Sequence, residues 1–372
     1  MPKLNKNQVL VPGSLALHFD IDLSGGHANN YLVQNVSRAL VEDFEVFFGG
    51  TKLQQTKGYS IFKIYEDLFL SQEECDNMLL EGIQSEDLCR IRSNAGDKKT
   101  SGVDSEKKLN AMYGKKYRIR LDHEILKDNG VFYPQALYND LVFELTLADA
   151  ENVVKGSDPM KLKYKLRNIE IEYQIILSKM LAEEAHSVYS SGKEFAYDHV
   201  QYEPTLTILK GTNTQVNIKV NPQRRSMKAI LLLFVEPYTT GARDSEKYVF
   251  PDLTKVKVTI NGEPCMIYSK GIKATDFWTE ARNFFVKEEN KTEHMNLKGF
   301  LSGDRLGLLI DLRSMPDQNI HGSGTRLVNS TDGVQLVIDR KASGSGVIKC
   351  HFYTISDSQA NFIGNQLHSV QY

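Results

Sequence analysis

An excess of basic charge, paired cysteines, a long apolar run and clustered histidines are all missing from this chain. Its 372 residues carry 45 lysines and arginines against 47 aspartates and glutamates, a formal net charge of -2. Proteins that neutralise nucleic-acid phosphates show a basic excess or basic patches. Only short runs such as Lys115-Lys116 and Arg224-Arg225 occur here, and these read as solvated loop charges. Direct, sequence-specific nucleic-acid binding is therefore not expected.

The four cysteines, Cys75, Cys89, Cys265 and Cys350, include no Cys-x-x-Cys pair. That excludes a zinc knuckle and a small disulfide framework, and leaves free thiols in a reducing compartment. The longest apolar run, Ala229 to Val235, has a strand's length, far short of the ~18 residues of a membrane span. Met1 to Val11 carries lysines but no apolar core of signal-peptide length. Secretion is not expected, and the sequons at Asn35, Asn290 and Asn329 read as chance. Synthesis in cytoplasm or nucleus follows.

Catalytic constellations are scarce too. The nine histidines do not cluster; His18, His123 and His351 each sit alone in a strand pattern, and no His-Glu-x-x-His spacing occurs. Glu170 with Glu172, or Asp304 with Asp311, offers the only carboxylate pairing worth weighing for acid/base work. Carboxylates on a solvated strand face are commonplace, so a glycosidase-like pair is not assigned. Gly322-Ser323-Gly324 and Ser343-Gly344-Ser345-Gly346 lead into strands, where a phosphate loop would open a helix, and read as turns. The single Trp278 shares a helical face with Phe277 and Phe284, which points to packing and not to a ligand platform. No catalytic, cofactor-binding or metal-ligating residue is predicted, no cofactor is implied, and the chain is not expected to be an enzyme.

What the sequence has in quantity is alternation. Leu15, Leu17, Phe19 and Ile21 alternate with polar or small residues, as do Phe44, Val46 and Phe48 before Gly49-Gly50. Tyr117, Ile119 and Leu121 follow, then Leu141, Phe143, Leu145 and Leu147. Leu162, Tyr164 and Leu166 slip phase into Ile169, Ile171, Tyr173 and Ile175, which predicts a bulge near Arg167-Asn168. The second half repeats the theme at 206–208, 216–220, 256–260, 306–312, 334–338 and 348–354. Ile230 to Val235 reads as a strand buried on both faces. Helical spacing appears over 60–80, with a capping box at Ser71 and Glu74, and over 177–188, ahead of the breaker Ser190-Ser191-Gly192. Two polar stretches, 93–110 and 287–298, exceed hairpin length and belong on a surface.

Such a pattern predicts an all-β protein, two tandem eight-stranded jelly-roll sandwiches with a few short helices. The units are 1–177 and 201–372, with a helix and linker over 178–200. An internal repeat supports duplication. Phe44-x-Val46-x-Phe48-x-Gly50, Lys57-Gly58 and a helix with Tyr65 recur as Val256-x-Val258-x-Ile260-x-Gly262, Lys270-Gly271 and a helix with Trp278. Gly50 and Gly262, Lys57 and Lys270, and Tyr65 and Trp278 stand 212, 213 and 213 residues apart.

Several stretches resemble a known family. They are 35–41 running into 44–50, Gly130-Val131-Phe132-Tyr133-Pro134, and 166–173 in the first half. In the second they are 225–234, Val258-Thr259-Ile260-Asn261-Gly262, Tyr268-Ser269-Lys270-Gly271, Tyr353-Thr354-Ile355 and the terminal Ser369-Val370-Gln371-Tyr372. In order and spacing this resembles the double jelly-roll major capsid (hexon) protein of Polinton/Maverick elements, adintovirus-like viruses and virophages, from about Val11 to Tyr372. The resemblance implies a viral structural protein, a homotrimer forming a pseudo-hexagonal capsomer of an icosahedral shell around double-stranded DNA. It also implies lateral contacts between capsomers, a neighbouring penton protein and location in the virion capsid. Outer towers would come from the two polar stretches or from 311–331. The competing reading is a lectin-like, carbohydrate-binding double sandwich; a β-sandwich hydrolase lacks a catalytic constellation.

Overall fold

The computed structural model describes residues 4–24, 30–93, 114–121, 123–126, 133–156, 162–265, 268, 270–272, 276–286, 295–302, 304–313 and 324–372. The first half contains strands β1 (Gln8–Leu10), β2 (Ala16–Ser24), β3 (Tyr31–Leu32), β4 (Val41–Phe48), β5 (Thr51–Thr56), β6 (Lys116–Arg120), β7 (Leu141–Leu147), β8 (Val154–Lys155), β9 (Lys163–Glu172) and β10 (Ile175–Leu177). The second contains β11 (Lys193–Leu209), β12 (Gln215–Val220), β13 (Met227–Val235), β14 (Leu253–Ile260), β15 (Glu263–Pro264), β16 (Gly307–Asp311), β17 (Val334–Arg340), β18 (Val347–Ile363) and β19 (Gln366–Gln371). Three helices matter below: α1 (Tyr59–Asp67), α2 (Lys179–Ser191) and α3 (Phe277–Phe285).

In the second half, two antiparallel sheets run in the orders β11-β18-β13-β16 and β12-β17-β14-β15, and β19 adds to β18. Eight strands divided between two facing antiparallel sheets, with most consecutive strands in opposite sheets, make a jelly roll. Among the described residues, the first half repeats six of these eight strands. Its sheets run β9-β2-β6 and β7-β4-β5, which matches β18-β13-β16 and β17-β14-β15 strand for strand. Two short pairs, β1 with β10 and β3 with β8, complete it. The fold is all-β, two tandem jelly-roll sandwiches with short helices.

The duplication extends to backbone angles. Gly49-Gly50 and Asn261-Gly262 both turn with two positive φ values, 56° and 82° in the first and 53° and 82° in the second. That is the primed hairpin turn whose twist suits flanking strands, and it needs glycine or asparagine. Each Lys-Gly also repeats, with Gly58 at φ 58° and Gly271 at φ 77°, before α1 and α3.

Local signals mostly match the fold. Ser71 and Glu74 form the reciprocal capping box. Ser178 caps α2 through the Leu181 amide, and Gly192 ends it. The phase slip falls at Asn168, which has φ 49° and lies at a register shift between β2 and β9. Two strands run longer than the alternation suggested. β11 begins at Lys193, directly after α2, with Phe195, Tyr197 and His199 turned inward. β18 continues to Ile363 because β11 and then β19 pair its full length.

Candidate functional site

The surface of greatest structural consequence is the seam between the two sandwiches. Residues 62–69, from α1 and the turn after it, do not finish the first core. Phe62, Ile64, Tyr65, Leu68 and Phe69 instead pack with β13, β16 and β18 of the second. In return Phe195, Tyr197, Ala360 and Phe362 join the core of the first. Phe48 meets Phe362 edge-on at 5.0 Å. Each core is thus completed by the other half of the chain.

The repeated helices meet across this seam. Phe69 stacks on Phe285 at 5.2 Å and on Trp278 at 5.9 Å, and Tyr65 meets Phe285 edge-on at 5.9 Å. Trp278 also touches Phe300, so its role is packing, as its register indicated. β13 is buried on both faces for the same reason: Tyr353, opposite Leu231, lies against Phe62.

Hydroxyl groups lock the seam by donating to backbone carbonyls of the other half. The Tyr197 hydroxyl donates to the Leu53 carbonyl at 2.9 Å, and Tyr353 to Gly58 at 2.8 Å. Tyr248 donates to Ile61 at 2.8 Å, Tyr372 to Lys52 at 2.6 Å, and the Thr56 hydroxyl to Val200 at 3.0 Å. A cleft at the same seam is lined by Gln54, Thr56, Lys63, Glu66, Glu124 and Asp198. It mixes both signs of charge, and His123 also stands in its wall.

Residues weighed for chemistry are dispersed. His18 faces Glu172 at 3.2 Å on the outer sheet surface. His123 accepts from the Ile125 amide, and His351 bonds the Tyr202 hydroxyl. Asp311 is held by Arg313 at 2.6 Å and Asp304 by Lys247 at 3.2 Å. Glu170 and Glu172 stand exposed on β9. Among the described residues no three His, Cys, Asp or Glu side chains gather as a metal site, and no helix is long and apolar enough to cross a membrane. All four cysteines are buried free thiols, and burial pushes Cys75 and Cys350 up to about 12. The Asn35 side chain is buried and donates to Asp67 at 2.8 Å, so this sequon is closed to glycosylation in the folded chain.

Of the tower candidates, residues 94–110, 287–294 and 314–323 lie outside the described residues; Ser93, 295–298, 311–313 and 324–331 are within them.

No protein-family profile matches the chain, and no curated protein matches it in sequence. Solved structures do match in fold. PBCV-1 VP54, as fitted into the Sputnik virophage reconstruction, aligns with TM-score 0.63 at 12% identity, covering 100% of this chain and 91% of that one. The fold is that of the double jelly-roll capsid proteins. The PBCV-1 capsid structure aligns over 98% of this chain and 90% of that chain, with TM-score 0.64 at 13% identity. The mavirus major capsid protein aligns over 100% and 88%, with TM-score 0.51 at 9% identity. The carbohydrate-binding alternative finds no support among these double jelly-roll neighbours.

Proposed function

We propose that this chain is a viral major capsid protein whose homotrimers form pseudo-hexagonal capsomers of an icosahedral shell around a double-stranded DNA genome. The observation that carries this is the pair of duplicated jelly rolls bolted together at their helices, in the fold of the PBCV-1 and mavirus capsid proteins. Two sandwiches that complete each other's cores cannot swing freely, and a stiff, two-lobed block is what a shell tile requires. Three such blocks about a threefold axis present six sandwiches and close without an open end. A net charge of -2 keeps repulsion between densely packed copies small.

The units of the tile are 1–177 and 201–372, joined through 178–200. Its partners are further copies of itself, then neighbouring capsomers and a penton protein; the genome is met without sequence-specific contacts. The role is structural, not catalytic. The source is an element of the Polinton/Maverick or virophage kind, with synthesis in the host cytoplasm or nucleus and residence in the virion. Negative-stain microscopy of the purified protein is the test. Threefold particles of pseudo-hexagonal outline are expected, and a field of monomers at every concentration would refute the proposal.

A further inference from the structure

Both halves of the chain wall the cleft at the seam: β4, β5 and α1 from the first, β11, β18 and α3 from the second. Its volume is about 120 Å³. A closed cavity of about 150 Å³ admits benzene, a guest of about six non-hydrogen atoms, so a guest of similar size fits here. Aromatic rings provide the apolar wall. Phe44 and Tyr59 stack on each other at 4.9 Å, and Phe62 and Phe285 line the cleft with them. Such rings cover methylene carbons and attract an ammonium group over their faces.

Charge in the lining is unbalanced. Three carboxylates, Glu66, Glu124 and Asp198, stand against one ammonium, Lys63. Lys63 pairs with Glu66, Glu124 accepts from the Asp198 amide at 2.6 Å, and Asp198 accepts from Lys228 at 2.7 Å. Lys228 also holds Asp357 at 3.0 Å, so counting that pair adds one charge of each sign and leaves the negative excess unchanged. A carboxylate offers about four acceptor sites, so each can take a guest N–H beside the bonds it already makes. All three are half-buried, where water and salt screen less than at an open surface. The charge is spread, since among the described residues no three His, Cys, Asp or Glu side chains gather to hold one metal ion. An elongated dication matches that distribution better than a point charge.

Gln54 is an independent sign of a guest. Its side chain lines the cleft and is only 6% exposed. The amide nitrogen donates to the Thr56 hydroxyl at 2.7 Å and to the Val200 carbonyl at 3.2 Å. The amide oxygen meets no donor among the described residues. Buried acceptors are normally satisfied, and the cleft is where a donor for this one can enter.

We propose that the seam cleft binds a short aliphatic diamine as its dication, with the methylenes against the rings and the ammonium groups among the carboxylates and the Gln54 oxygen. A four-carbon diamine has the count of about six non-hydrogen atoms that the volume admits. Because both halves touch the guest, binding tightens the seam and stabilises the folded chain by mass action. The site lies within one chain and is independent of capsomer formation.

Putrescine is the probe, titrated into the purified full chain by calorimetry and followed in thermal melts at fixed ionic strength. Saturable heat with one site per chain is expected, together with a melting midpoint that rises with the amine. Butylamine, which has a single ammonium, should bind about tenfold more weakly, and neutral butanediol should leave the midpoint where it is. Glu124→Gln with Asp198→Asn keeps size and an acceptor oxygen at each position while removing two charges. This variant should also bind putrescine about tenfold more weakly, and without amine should melt within a few degrees of the parent. If it melts lower than that, Glu124→Gln alone and Asp198→Asn alone give the same readout. No saturable binding, equal binding of butanediol, an equal midpoint rise with magnesium chloride, or parent-like putrescine binding by a folded variant would each overturn the proposal.

Discussion

Gly307 opens β16 directly beneath Tyr65, and a Cβ added there would collide with the phenol ring. Its φ is not in the left-handed region, so the requirement is for space alone. Gly307→Ala should lower stability by about 1–3 kcal/mol, the usual range for overpacking a fixed core, measured by chemical denaturation. Relief by pairing it with Tyr65→Phe is not expected, because the ring carbons collide as well as the hydroxyl. His199 illustrates a different constraint. It is buried beside the Tyr372 ring, and burial, helped by the Arg224 guanidinium, holds its imidazole down at about 3 against an ordinary 6.5. His351 is held down at about 4 by burial, with Lys349 and Arg243 adding to it. Because the unfolded chain takes up the proton first, stability from these groups is complete above about pH 6.5 and is lost as pH falls toward 3 or 4. Each histidine contributes a slope of about 1.4 kcal/mol per pH unit within its window. Replacing His199 by Phe keeps a ring against Tyr372 and should flatten the acid limb of the stability profile; an unchanged slope would mean that the histidine is already charged in the fold.

At the level of elements, the strand-turn-helix repeat is the organising unit. Its hairpin turn was legible because Gly50 and Gly262 must supply positive φ, and the capping box because Ser71 and Glu74 stand three apart. The destination of the helix was not legible. An amphipathic stretch such as 59–67 states that one face will be buried, not against which sheet, and α1 turns to the opposite sandwich. Likewise β11 was hidden between a helix and a linker pattern, since Phe195, Tyr197 and His199 alternate only for a few residues before Glu203 and Pro204. The seam has a measurable consequence. With each core completed by the other half, heat should unfold the parent in one calorimetric transition. Phe69→Ala, which removes the ring stacked between Trp278 and Phe285, should cost about 3–5 kcal/mol and separate the transition into two. Two resolved transitions in the parent would show that the halves are energetically independent.

On the scale of the whole molecule, the chain reads as a duplicated block of six strands, extended in the second half by β11 and β12. Both halves carry the same six-strand scheme, and in the second β11 sheathes β18 while β12 sheathes β17. The stiffness of the block comes from the seam, where each core is completed by the other half of the chain.

Alternation, turn residues and the internal repeat determined by themselves that the chain is β-rich and duplicated, because these are local properties written in residue type and spacing. Which sheet each strand enters and which core α1 fills were decided only in three dimensions. Those outcomes depend on contacts between residues more than a hundred positions apart, such as Tyr353 with Gly58 and Phe48 with Phe362, and no periodicity along the chain encodes them.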